Sequence, residues 1–273
     1  MSLSTVLFFF LAHLGVGIAW SLVFVSRETG VKFFRFNAGL SAILVGFALA
    51  FRVAALDGAP VESPLARFAV TALYAVEAAL VVYWATVGRS LVRIRPAIIA
   101  VSIVGGLVVV VLQGIDVSAG RRLALQVLTV ASFISSAALL GGACTSMTLG
   151  HWYLVIPSMP VTHLQSIVKV HIASTLVRVV VVGVAVWFAI ATWQPESGAP
   201  SFRHYIQSVD GIFFWQRVLF GLFGPAVLSY LTWETAKIRA TQSATGILYV
   251  DFFTVVVGEV LAKYIVLATH VPV

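Results

Sequence analysis

Hydrophobic residues in this chain come in long blocks parted by short polar clusters, with no strand-like alternation of apolar and polar positions. The blocks run over residues 4–26, 37–56, 66–87, 96–114, 123–149, 164–193, 209–233 and 243–268. Crossing the hydrocarbon core of a bilayer takes about 20 mostly apolar residues in a helix. Lipid offers no partner to backbone N–H and C=O groups, and the blocks are too long for barrel strands, so helix is the expected state of each. The pattern predicts an all-α fold, a polytopic integral membrane bundle of about eight transmembrane helices forming one transmembrane domain over residues 1–273.

Punctuation between the blocks agrees. Asp57-Gly58-Ala59-Pro60 and Gln194-Pro195-Glu196-Ser197-Gly198 are turn-forming clusters, and Pro96 stands where a helix would start. The first block follows Met1 with no basic segment and no small-residue cleavage site, so it reads as a retained helix. Gly221, Gly224 and Pro225 are expected to kink the seventh span and free a carbonyl or two at mid-depth. The fifth span carries a run of small residues, Ser132, Ser135, Ser136, Gly141, Gly142, Ala143 and Ser146, suited to close approach of another helix of the same chain, with a subunit contact as the alternative.

Composition adds weight to the membrane reading. Sixty per cent of the residues are hydrophobic, ten per cent are charged, and mean hydropathy is +1.04, which a soluble fold could not bury. The net charge of +7 suggests nucleic acid only until the basic residues are located. They are scattered between spans and form no stripe, so no nucleic-acid partner is expected. Connections after spans one, three and seven hold Arg27, Lys32, Arg35, Arg89, Arg93, Arg95, Lys237 and Arg239. Those after spans two, four and six hold Arg67, Arg121, Arg122 and Arg203 together with Asp57, Glu62, Asp116 and Glu196. The richer set should face the cytoplasm, which puts both termini on the periplasmic or outer side of a bacterial inner membrane. The single cysteine, Cys144, rules out an internal disulfide, covalently attached c-type haem and cysteine-held iron–sulfur clusters.

Ionisable groups inside hydrocarbon cost about 3 kcal/mol each by insertion scales, so each needs a reason. His13, Arg52, Glu77, His171, Arg178, Arg217, Asp251, Glu259 and Lys263 all fall within the spans. His171, Thr175 and Arg178 share one helix face, and Glu259 precedes Lys263 by four, the favourable order for a helical ion pair. Glu77 is the expected partner of Arg178 or Arg217. Glu77, Arg178, Asp251, Glu259 and Lys263 are the candidates for a proton path, since carboxylates and histidines strung across a bilayer suit proton relays.

The segment from Gly150 through His151, Trp152, Tyr153, Pro157 and Pro160 to His163 is expected to be a non-helical connection at the cytoplasmic face, with His171 a turn or two deeper. Aromatic walls and three histidines near one face would suit a quinone, so His151, Trp152, Tyr153, His163 and His171 are its candidate site. Haem b is the alternative cofactor, with His13, His151, His171 and His270 as candidate ligands. The depths of His13 and His171 do not match, which leaves His13 with His270 or His151 with His171. No ligand spacing suggests a structural metal, and no P-loop, nucleophile-elbow or HExxH motif occurs in a fitting context.

The eight-helix count and compact loops resemble, by topology alone, the quinone-reactive membrane subunits of polysulfide-reductase-type oxidoreductases. That resemblance implies a membrane anchor subunit of a respiratory or other electron-transfer complex, binding quinone or conducting protons, with other subunits carrying the redox centres. A haem anchor, a small transporter and a purely structural membrane subunit are the alternatives.

Overall fold

A computed structural model describes residues 2–56, 63–89, 93–156, 158–192 and 201–273. The two turn clusters around residues 57–60 and 194–198 lie outside these. The described residues form helices and no strand. Helix α1 (Leu3–Ser21) runs on through a 3-10 turn to Phe24. It is followed by α2 (Val31–Leu56), α3 (Pro64–Thr86), α4 (Arg95–Val117), α5 (Leu123–Val155), α6 (Thr162–Ala191), the short α7 (Phe202–Gln207), α8 (Ile212–Val218), α9 (Gly224–Lys237) and α10 (Thr241–Thr269). A π-helical turn, Leu219–Phe223, joins α8 to α9, so residues 212–237 make one span. Among the described residues eight helices are long and apolar enough to cross a membrane, which is the architecture of an integral membrane protein.

Local sequence explains most helix ends. Ser2, Ser63 and Ser201 cap α1, α3 and α7 by accepting from the backbone N–H three residues on, and Pro64 and Pro96 stand in first turns. Two ends differ from expectation. Helix α2 starts at Val31, six residues early, because Lys32 and Arg35 can extend the helix beyond the apolar layer. Helix α5 continues to Val155, so Gly150–Leu154 is helical and not a loop. The residue before a proline is driven out of the α region, and the helix stops just short of Pro157. Where the seventh span is expected to kink, the helix widens to a π turn at Leu219–Phe223, with Pro225 in the first turn of α9.

Helix α1 lies at the centre and packs on α2, α4, α5 and α10. Two glycine crossings set the closest approaches. A Cβ built on Gly17 of α1 would lie 2.0 Å from the Ala137 carbonyl oxygen of α5, and one on Gly141 would lie 2.0 Å from the Gly17 backbone. A Cβ on Gly258 of α10 would fall 2.1 Å from the Gly221 Cα of the π turn. The small-residue surface of α5 is therefore consumed inside the chain.

The burial pattern is inverted relative to a water-soluble bundle. Trp187, Phe253 and Val180 are each more than 60 % exposed, whereas Arg178, Arg217, His171 and Glu259 are wholly buried. Apolar side chains can face lipid without penalty, but an unpaired charge cannot, so the polar groups of α6, α8 and α10 turn to the interior.

Candidate functional site

Glu259, at mid-length of α10, is the hub of the interior. Arg178 on α6 grips it with two nitrogens, Nε at 2.9 Å from Oε1 and Nη2 at 3.1 Å from Oε2. Arg217, at the end of α8, donates through Nη2 to Oε1 at 2.8 Å. Ser136 of α5 donates to Oε2 at 2.5 Å. This two-pronged grip holds the planar guanidinium of Arg178 in one orientation. Its remaining nitrogen, Nη1, donates to the Ser132 hydroxyl at 2.6 Å and the Ser132 carbonyl at 3.0 Å, and Nη2 also reaches the Val273 carbonyl at 3.1 Å.

Glu77 is thus not the partner of either arginine. It sits half-buried on α3 near Gly46 of α2, and its Oε2 has no hydrogen-bond partner among the described residues. Residue types alone could not rank Glu77 against Glu259; the crossing of α6, α8 and α10 does. Nor do Glu259 and Lys263 pair directly. Lys263 Nζ donates to Ser136 Oγ at 2.8 Å, and the same hydroxyl donates to Glu259, so a serine stands between cation and carboxylate. Lys263 also lies 4.6 Å over the Phe133 ring, which in turn packs against the His13 ring at 4.9 Å and the Phe9 ring at 5.7 Å. His13 in turn meets Gln113 of α4, Nε2 to Oε1 at 3.1 Å.

Asp251 forms a second centre. Its Oδ2 lies 2.5 Å from His171 Nε2, with both side chains fully buried. Eight residues of helix, about 12 Å of rise, separate Asp251 from Glu259 along α10. The outward atoms of this dyad, His171 Nδ1 and Asp251 Oδ1, have no hydrogen-bond partner among the described residues.

The expected histidine cluster is dispersed. His171 is committed to Asp251, while His151 is exposed and bonded through Nδ1 to the Tyr249 hydroxyl at 2.9 Å. His163 stands 2.9 Å from Glu28. Tyr153 is buried, donating to the Pro160 carbonyl and accepting from Leu164 N–H, which pins the turn between α5 and α6. Trp152 packs edge-on against Phe33. Because α5 continues as a helix past Gly150, successive residues point in different directions and do not line one cleft.

Three of the candidate haem ligands have other partners among the described residues. His13 and His171 direct Nε2 at Gln113 and Asp251, and His151 lies at the exposed surface on Tyr249. No group of three or more His, Cys, Asp or Glu among the described residues could hold a metal ion.

His270, past the end of α10, has φ +59°, the left-handed cap that often closes a helix. Partial burial, with Arg121 nearby, holds its pKa below the ordinary 6.5. The folded chain therefore favours the neutral ring. Its contribution to stability is complete above pH 6.5 and fades as pH falls below that value. By NMR the His270 ring should titrate with a midpoint under 6.5, and Arg121→Gln should move the midpoint upward; an unmoved midpoint would exclude Arg121 as a cause.

Residue types signalled Arg178, Glu259, Lys263, Asp251 and His171. They did not signal the roles of Ser132, Ser136, Gln113 and Phe133. The serine spacing was visible, since Ser132 and Ser136 share a helix face, but it read equally as packing.

Neither protein-family models nor the curated proteins give a match to this chain. What fold and site define is a class: an all-helical integral membrane protein with a buried, hydrogen-bonded charge cluster between α5, α6, α8 and α10.

Proposed function

We propose that this chain is a membrane subunit of an electron-transfer complex that passes protons along its interior and exchanges them with a quinone, partner subunits carrying the redox centres. The observation that carries the reading is the buried relay Lys263–Ser136–Glu259, joined end to end by hydrogen bonds of 2.8 and 2.5 Å. A hydroxyl both donates and accepts, so a serine between two titratable groups can hand a proton on by rotating. The Asp251–His171 dyad provides a second exchange point, and the unpartnered Nδ1 and Oδ1 are where a proton would enter and leave it. His13 and Gln113 extend the polar groups toward the end of the bundle where α1 begins and α4 finishes. Two breaks interrupt this line, the Phe133 ring and the 12 Å between Asp251 and Glu259 (about eight residues of rise), and internal water would have to bridge each.

Loop charge supports an orientation for the path. With Arg27, Lys32, Arg35, Arg89, Arg93, Arg95, Lys237 and Arg239 on the cytoplasmic side of a bacterial inner membrane, Asp251 and His171 lie nearer the cytoplasm and His13 nearer the outside.

Purified full-length protein in liposomes, driven by a potassium diffusion potential and read with an internal pH dye, tests the path. Asp251→Asn and Ser136→Ala should each slow proton entry at least about tenfold, an expectation set by breaking one link of a relay. Both substitutions are near-isosteric, and gel filtration verifies that each variant remains folded. Unchanged flux in both would reduce the cluster to fixed charges that hold the bundle together.

A further inference from the structure

We propose that Glu77 is the docking point for a transmembrane helix of a partner subunit that carries a lysine or arginine at mid-depth. Helix α3 places this carboxyl about 20 Å by rise from Pro64 and about 14 Å from Thr86, near the middle of a bilayer. It stands on the rim between the buried and outer faces of the helix. Leu73, Val76 and Leu80 beside it are fully buried, whereas Tyr74 and Val81, one turn either way, are 53 % and 42 % exposed. Helix α2 packs alongside, and its Ile43 and Phe47 are exposed as well. Gly46 leaves a notch between the two helices: among the described residues a Cβ built there would meet only Glu77 Oε1, at 3.7 Å.

An ionised carboxyl at this depth is costly unless it is paired. Lys32, Arg35, Arg52, Arg67 and Arg95 of α2, α3 and α4 stand toward helix ends, and among the described residues none pairs with Glu77. Its Oε2 likewise has no hydrogen-bond partner there. The interior arginines Arg178 and Arg217 are taken by Glu259. A neighbouring helix whose own mid-span cation lacks a partner bears the same cost, and contact between the two relieves both. Charge complementarity therefore selects the occupant: an apolar helix with one basic residue at mid-span. A second copy of this chain fits less well. Its Arg178, Arg217 and Lys263 are buried, and Lys169, exposed on α6, lies over the Trp233 ring.

The inference rests on the reading that the chain is one subunit of a membrane complex, and its test uses neither proton flux nor quinone. The probe is a synthetic helix of about 20 leucines, the length of a span, with one central lysine and a diazirine side chain one turn from it. Full-length protein and probe would be combined in phosphatidylcholine vesicles and irradiated, and the crosslinked peptides identified by mass spectrometry. Crosslinks are expected on residues 31–56 or 64–86. Their yield should exceed that of the same helix with leucine for lysine by at least about tenfold, the scale of one close charge pair. Glu77→Gln should bring the lysine helix down to the leucine level, and Gly46→Leu, which fills the notch beside the carboxyl, should do the same. Unfolding by SDS should be unchanged in Glu77→Gln, since Glu77 has no partner to lose among the described residues. Equal capture of the two helices, indifference to both substitutions, or crosslinks confined to other spans would each overturn the proposal. So would a less stable Glu77→Gln, or a dimer of the chain that Glu77→Gln dissolves. Glu77-dependent capture without proton flux removes the proton path alone, and flux without capture removes the docking point alone.

Discussion

Glu259→Leu should destabilise the folded chain by about 3–5 kcal/mol, the range for breaking a buried ion pair by removing one partner. The carboxylate accepts four hydrogen bonds, from Arg178 Nε, Arg178 Nη2, Arg217 Nη2 and Ser136. Leucine would fill similar volume and remove the carboxylate that faces two guanidiniums, both at 0 % exposure. Among the described residues Arg217 has no second acceptor to fall back on, since its Nε and Nη1 already lack partners there. Arg178 retains Ser132, so its penalty is smaller. Glu259→Gln keeps an acceptor oxygen and should lose less than Glu259→Leu. Reversible unfolding in mixed micelles by titration with SDS measures both. A loss below about 1 kcal/mol, the scale of an exposed pair, would show that the three side chains do not meet in the interior.

Gly17→Val and Gly141→Val should each cost about 3 kcal/mol or more, above ordinary overpacking because backbone is the obstacle. A Cβ at either position would lie 2.0 Å from backbone atoms of the facing helix, so no side-chain rotation can relieve the clash. Helices α1 and α5 would have to part, loosening the packing of His13 against Phe133. Gly183 is the control. A Cβ there meets nothing within 4 Å among the described residues, and Gly183→Ala should be neutral or gain up to about 1 kcal/mol of helix propensity. The same unfolding measurement compares the three. Equal stability of Gly17→Val and Gly183→Ala would mean that α1 and α5 do not cross at Gly17.

Apolar block length made the eight spans legible in advance, because the bilayer sets that length whatever the packing. The ends were less legible. The α5 helix passes through Gly150–Leu154 because nothing before Pro157 stops it, although the aromatic and histidine content of the segment suggested a surface connection.

The sequence by itself determined that Arg178, Glu259, Lys263, Asp251 and His171 face inward. A charge in hydrocarbon is costly, and helix period assigns each to a face. Only the tertiary structure decided who meets whom. Glu259, not Glu77, takes both arginines, Ser136 separates Lys263 from Glu259, and His171 finds Asp251 eighty positions away. Periodicity fixes the direction of a side chain about its own axis. It carries nothing about which neighbouring helix lies there, and close crossings such as Gly17 on Gly141 settle that.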